Sequence, residues 1–166
     1  LARLRQPLIA VLNGPALGGG FELAACADLR IAEPSARIGQ PEPALGVVAG
    51  WSGTQRAARR FGAGRVRRLA LFGESFYAGE ALGLGLVDSL AGAGEGMAEA
   101  HALAEAVAAR APLAVQMTKL AVNAAEGEER ERPLDALAAG WAAHSADLAE
   151  GVAAFRDKRR PAFAGA

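Results

Sequence analysis

Apolar positions follow two rhythms along the chain, one at each end. Residues 7–12 (PLIAVL) form a short uninterrupted apolar run stopped by Asn13-Gly14-Pro15, a pattern that predicts a buried strand ending in a turn. Gly18-Gly19-Gly20 comes next, after which Phe21, Leu23, Ala24 and Ala27 recur at helical spacing. Residues 29–32 then read as a second strand before Glu33-Pro34, so the order is strand, glycine loop, helix, strand. Between 38 and 53 the chain is rich in Gly and Pro, and Pro41 and Pro43 flank Glu42. Proline donates no ladder hydrogen bond and disfavours helix at the preceding residue, so an extended, irregular segment is expected there.

Helical patterns resume at 54–60, 65–72 and 78–82, followed by a short strand at 84–87. Past the glycines at 92, 94 and 96 the pattern is helical over 97–110, 113–126 and 134–155. In the last of these, Leu134, Ala138, Trp141, Ser145, Leu148, Val152 and Phe155 fall at alternating steps of four and three, a single stripe that needs a surface to pack on. The expected layout is an α/β region over 1–92 followed by a helical region over 93–166.

Composition narrows the classes. With 166 residues, 52% hydrophobic and 22% charged, the chain is long enough for one packed core and too apolar for disorder, while no run approaches the roughly 18 apolar residues of a membrane span. Eighteen Lys and Arg balance 18 Asp and Glu, so no net field draws it to nucleic acid or an anionic membrane. The lone cysteine, Cys26, excludes an internal disulfide, and two distant histidines, His101 and His144, argue against a metal site; a reducing cytosol suits both. The chain opens Leu1-Ala2-Arg3-Leu4 without Met, which leads us to expect a piece of something longer. Arg56, Arg59, Arg60, Arg65, Arg67 and Arg68 form the densest basic cluster and read as a solvated helix face. Cys26 is expected to be a packed small residue, and the two histidines to be surface or interface residues.

Candidate chemistry gathers near the first glycines. Three glycines between a strand and a helix leave backbone N–H groups unobstructed beside a helix N-terminus, a place for an anion or a developing oxyanion as well as for a plain tight turn. The spacing completes neither a dinucleotide fingerprint, since Leu23 occupies its last glycine position, nor a P-loop. Glu22, in the first helical turn, suits the helix dipole whether or not it does more. Glu42 is held between two prolines, which a solvated surface glutamate would not require. Together an N–H pocket and two carboxylates are what chemistry through an enolate asks for, and two carboxyls facing one small volume divide into an acid and a base.

Asn13-Gly14-Pro15-Ala16-Leu17-Gly18-Gly19-Gly20-Phe21-Glu22-Leu23-Ala24, Cys26-Ala27-Asp28, Gly39-Gln40-Pro41-Glu42, Leu45-Gly46 and Gly53-Thr54-Gln55-Arg56 resemble, in order and spacing, the enoyl-CoA hydratase/isomerase family, the crotonase superfamily. Residues 81–87, 119–123 and 150–163 resemble its later elements, so the likeness covers essentially the whole chain and corresponds to the C-terminal two-thirds of the family's length. The resemblance implies an α/β, crotonase-like (ClpP/crotonase) fold of repeated ββα turns, here N-terminally incomplete, ending in helices that mediate assembly into a trimer or a dimer of trimers. It implies hydration of a 2-enoyl-CoA to the 3-hydroxyacyl-CoA, with no cofactor, the CoA thioester being the substrate. Gly19 would be the second oxyanion-hole N–H donor, Glu22 would activate the water that attacks Cβ, and Glu42 would exchange the proton at Cα. Ala16, Leu17, Gly18, Gly20 and Trp51 are expected along the bound thioester, and Lys158 near the CoA of a neighbouring subunit.

The departures count too. The family's first oxyanion donor and much of its CoA-binding surface belong to a half upstream of Leu1, Ala49 stands where many hydratases have Pro, and Trp51 and Ser52 interrupt a glycine-rich patch. Trp51 could line or narrow an acyl pocket, or be a loop aromatic. Two other readings therefore stand beside hydration: a non-catalytic crotonase fragment or assembly module, and another crotonase reaction such as enoyl-CoA isomerisation.

Overall fold

The computed structural model describes residues 1–45, 49–51, 53–127 and 146–164. The elements run β1 (Ile9–Leu12), β2 (Pro15–Leu17), α1 (Gly19–Ala24), β3 (Leu29–Ala32), β4 (Arg37–Gly39), a 3₁₀ turn (Glu42–Leu45), α2 (Gly53–Phe61), α3 (Ala63–Ala70), β5 (Ser75–Tyr77), α4 (Ala78–Gly83), β6 (Ser89–Leu90), α5 (Gly96–Ala108), α6 (Pro112–Ala125) and α7 (Ala146–Arg156). The chain divides into two compact units, one of residues 1–4 and 8–102, the other of 5–7 and 103–166.

In the first unit the strands form two small sheets, ordered β1-β3-β6 and β2-β4-β5. Successive strands alternate between them. β1 enters the first sheet, Asn13-Gly14 breaks it, and β2 enters the second; β3 and β4 repeat the pattern one winding later, in parallel with β1 and β2. Ile9 therefore faces Leu29, and Pro15 faces Arg37. β6 adds to β3 in parallel, and β5 runs antiparallel to β4. Phe21, Ile38, Phe61, Leu69, Leu86 and Val87 fill the core together with many buried alanines. Small side chains let helix and strand backbones approach closely.

Strand β3 and helices α2 to α6 lie where the pattern predicts. The run at 84–87 is not a strand. Leu84 and Leu86 instead donate backbone hydrogen bonds to Glu80 and Ala81, closing the end of α4, and the strand is the following pair Ser89–Leu90. Leu86 and Val87 are apolar because they are buried in that turn. Part of the basic cluster also departs from a solvated face. Arg60 turns inward, its Nη1 donating to the carbonyls of Ala25 at 3.0 Å and Ala27 at 2.6 Å, just beyond the C-terminal end of α1. Arg65 bonds the Phe61 carbonyl and Arg68 pairs with Glu74, while Arg59 and Arg67 are exposed.

Arg30 is buried on β3. Its guanidinium pairs with Asp88 at 2.7 Å, donates to the Ala27 carbonyl at 2.9 Å and lies 4.9 Å from the centre of the Phe61 ring. Burial holds its pKa below the usual arginine value, with Asp88 opposing that shift. The Asp88 carboxylate also accepts the Arg30 backbone N–H, tying the turn before β6 to β3.

In the second unit, Lys119 on α6 is buried and donates to the Gln6 carbonyl at 2.8 Å, and Asp147 on α7 is buried and accepts the Ala164 N–H at 2.7 Å. The expected stripe from 134 to 155 is described only from Ala146 onward, where the chain is helical; Leu134, Ala138, Trp141, His144 and Ser145 lie outside the described residues. No described helix is long and apolar enough to cross a membrane.

Candidate active site

The site begins where α1 meets β4. The Gly18 N–H donates to the Gly39 carbonyl at 3.0 Å, binding the residue that starts α1 to the last residue of β4. Gly18 has φ 54° and ψ −123°, a conformation L side chains rarely adopt. It also lacks room: a Cβ there would lie 3.3 Å from Oε1 of Glu42. Three residues past β4, Pro41-Glu42-Pro43 turns the chain through a 3₁₀ turn whose Ala44 N–H bonds the Pro41 carbonyl, and this lays the Glu42 carboxylate against Gly18.

Helix α1 is only six residues long, and its first intrahelical hydrogen bond runs from the Glu22 N–H to the Gly18 carbonyl. The Gly19 N–H stands ahead of that bond and has no hydrogen-bond partner among the described residues, as expected of a helix's first donors. Glu22, one turn on, is buried, and its Oε1 accepts two backbone N–H groups, from Trp51 and Gly53, both at 2.9 Å. Oε2 makes no hydrogen bond among the described residues. The approach is close enough that a Cβ on Gly53 would overlap the Glu22 side chain, so only glycine lets α2 begin here. Trp51 completes the ring of contacts. Its indole Cζ3 lies 3.1 Å from where a Cβ would stand on Gly19, and its carbonyl accepts Nη1 of Arg56 at 3.3 Å.

The three residues expected to carry the reaction are thus gathered at one helix turn: Gly19 at its start, Glu22 at its end, and Glu42 against the residue before it. The two carboxylates differ in how they are satisfied. Glu22 is anchored through one oxygen, whereas both oxygens of Glu42 are buried without a hydrogen-bond partner among the described residues. An unpaired buried carboxylate is costly, and such groups cluster where chemistry uses them.

The other expected positions sort differently. Gly18 belongs to the site as its steric cradle. Gly20 is exposed with open space around it, and Leu17 is exposed at the end of β2, its Cδ2 packed toward Gly39. Ala16 points into the core, so it can face a ligand only through its backbone. Lys158 is an exposed residue of the second unit, with φ 52°. Cys26 is half-buried and its thiol donates to the Glu22 carbonyl; His101 is exposed on α5. No group of three or more His, Cys, Asp and Glu side chains among the described residues is arranged to hold a metal ion.

Sequence reasoning passed over Gln40. It is almost fully buried, and neither its amide nitrogen nor its amide oxygen has a hydrogen-bond partner among the described residues. The signal was present, since a polar residue directly after the buried strand β4 and before Pro41-Glu42 breaks the apolar pattern.

Comparison with known proteins gives a consistent picture. The family model described as enoyl-CoA hydratase/isomerase matches residues 1–166. A crotonyl-CoA hydratase of Syntrophomonas wolfei is 38% identical over 164 residues, covering 96% of this chain and 62% of that protein. An enoyl-CoA isomerase/hydratase of Mycosarcoma maydis is 39% identical over 169 residues, covering 98% and 61%. Among solved structures, an enoyl-CoA hydratase from Bacillus anthracis superposes with a TM-score of 0.90 at 35% identity, covering 99% of this chain and 65% of that one. The chain therefore spans a little under two-thirds of the length of these relatives.

Proposed function

The chain belongs to the enoyl-CoA hydratase/isomerase family and has its crotonase-like fold, and from that premise we propose that it serves the hydration of a 2-enoyl-CoA to the 3-hydroxyacyl-CoA. In this reading the Gly19 N–H polarises the thioester carbonyl and supports the enolate that forms when water adds at Cβ. Glu22, fixed by the N–H groups of Trp51 and Gly53 on Oε1, presents Oε2 to the attacking water. Glu42 exchanges the proton at Cα. Water supplies both new substituents, so the bookkeeping closes without a metal or redox cofactor. Gly18 and Trp51 flank the thioester. Assembly as a trimer or dimer of trimers, with Lys158 near a neighbouring subunit's CoA, and a cytoplasmic location belong to the same reading.

The single observation that carries it is the Glu42 carboxylate, buried against Gly18 with both oxygens unpaired among the described residues, one residue from the proposed oxyanion donor. Glu42→Gln keeps the shape and removes the acid-base group. Loss of the conjugated thioester absorbance of crotonyl-CoA should slow by roughly 10² to 10⁴-fold. A variant that consumes crotonyl-CoA at the parental rate refutes the role.

A second reading, double-bond isomerisation, is favoured by the likeness to a relative named for both activities. A product with a shifted alkene and no hydroxyl group would replace the first reading with this one.

A further inference from the structure

Arg60 reaches out of α2 to the chain that leaves α1. It is half-buried, and its Nη1 donates to two carbonyls there, those of Ala25 at 3.0 Å and Ala27 at 2.6 Å. Both alanines are fully buried, where a carbonyl that loses its donor is costly. The other end of α2 holds the same helix. At its head the N–H groups of Trp51 and Gly53 grip Glu22, both at 2.9 Å, and the rings of Phe21 and Phe61 meet across the two helices at 5.6 Å. α1 is thus held to α2 twice, by its own carboxylate on the amides that open α2 and by a guanidinium of α2 on the carbonyls that follow α1. Six residues are too few for a helix to hold itself, so the placement of α1 comes from such contacts. Arg30 is no substitute. It donates to the same Ala27 carbonyl at 2.9 Å, but from β3, where Asp88 pairs with it, and so ties that carbonyl to the sheet and not to α2.

Resting on the function proposed above, we propose that Arg60 is a positioning residue for the reaction: it fixes α1 against α2 and so keeps the Gly19 N–H and the Glu22 carboxylate at a constant distance from Glu42, which stands on the turn after β4. The two N–H groups on Oε1 set where the Glu22 carboxylate sits, but a helix held at that point alone can still pivot about it. A second fixed point at Ala25 and Ala27 removes the pivot. Both bonds come from one nitrogen, so the contact asks for a cationic donor of the right reach and not for the planar fork of a guanidinium. The neighbouring arginines do not duplicate it, since Arg59 is exposed and Arg65 donates to the Phe61 carbonyl. The stake is large for so remote a residue, because a misplacement of about 1 Å at reacting groups costs on the order of 10²-fold in rate.

The test is amide hydrogen exchange of the isotope-labelled 166-residue chain, read by NMR at four N–H groups. Those of Trp51 and Gly53 report the grip on Glu22, and those of Gly94 and Gly96, held by Glu33, serve as the reference within the same unit. Arg60→Met keeps the apolar stem and removes the donors. The Trp51 and Gly53 amides should then exchange about 10- to 100-fold faster, while Gly94 and Gly96 stay within about twofold of wild type. Arg60→Lys should restore most of the protection. In crotonyl-CoA hydration, Arg60→Met should lower kcat by about 10- to 100-fold and leave KM within about twofold. Faster exchange at all four amides together, the mark of a merely structural loss, overturns the proposal. So does unchanged exchange at Trp51 and Gly53, an Arg60→Lys chain that exchanges like Arg60→Met, or an unchanged kcat. Where circular dichroism shows that Arg60→Met does not fold, Arg60→Gln, which keeps a shorter uncharged donor, is read at the same four amides against the same outcomes. Exchange needs no turnover, so the two readings fail separately. A wild-type chain that does not hydrate crotonyl-CoA but keeps the exchange pattern removes the proposed reaction and leaves Arg60 as the residue that places Glu22, and hydration with all four amides moving together does the reverse.

Discussion

Two buried glutamates in the first unit hold the start of a helix in the same manner, and only one of them is left with anything to do. Glu22 accepts the N–H groups of Trp51 and Gly53 at the head of α2; Glu33 accepts those of Gly94 and Gly96 at the head of α5. In both places the donors lie two residues apart, and in both the second donor is a glycine: a Cβ on Gly53 would run into Glu22, and one on Gly96 would run into Val11 and Glu33. The difference is in the oxygens. Glu33 gives one to each donor, Oε2 at 2.9 Å and Oε1 at 3.1 Å, so both of its oxygens are tied to the fold. Glu22 takes both donors on Oε1 and keeps Oε2. Glu42 completes the series with neither oxygen engaged among the described residues. A carboxylate's availability for chemistry is thus read from how its lone pairs are used, and burial alone does not tell a structural clamp from a reactive group.

The sharpest way to break this comparison is to put glutamine at each clamp. Glu22→Gln retains a carbonyl oxygen able to accept both N–H groups, so its melting temperature should hardly move while crotonyl-CoA turnover falls by roughly 10² to 10⁴-fold. Glu33→Gln must turn an NH₂ toward Gly94 or Gly96. It should lose about 1–3 kcal/mol of stability in denaturant unfolding and keep its turnover per folded molecule. Equal behaviour of the two variants in either assay would dissolve the distinction.

A smaller effect is expected from the facing glycines. Gly53→Ala forces a methyl into Glu22 and Gly96→Ala forces one into Val11 and Glu33, each at about 1–3 kcal/mol by thermal or denaturant melting. Gly53→Ala should also slow turnover, because it moves Glu22; Gly96→Ala should not.

The smallest effect belongs to the second unit, where Glu150 offers a half-buried counterpart. Its carboxylate receives Arg159 on both oxygens and the Ala162 N–H, which hold its pKa down to about 2. Its folded value lies below the unfolded one, near 4.3, so the contribution of this contact is full above about pH 4.3 and fades as pH falls toward about 2. An NMR titration of the Ala162 amide should show its midpoint near 2; a midpoint near 4.3 would mean that the pairing contributes nothing in solution.

Much of this was legible in the sequence, for physical reasons that differ by element. β3 and helices α2 to α6 carry enough apolar positions for their period to show. β2, β4 and β5 are three residues each, too short for alternation, and exist because the first winding lays down a template on which the second pairs. The strand expected at 84–87 failed because a buried turn can be as apolar as a strand. Glu22 and Glu42 stood out through their glycine and proline neighbours. Glu33 did not, since the glycines it holds lie 61 and 63 residues away and nothing beside Glu33 announces them. The anchoring of Trp51 was hidden in the same way, because the acceptor for its N–H is set by the packing of α1 against α2.

Gly18 carries a consequence about handedness. Its backbone angles mirror an extended conformation common for ordinary residues, so an amino acid of opposite chirality would be at ease in that turn, with its methyl replacing the α-hydrogen that does not face Glu42. The genetically encoded alphabet holds no such residue. Glycine, which belongs to neither hand, is the one encoded choice that meets both demands.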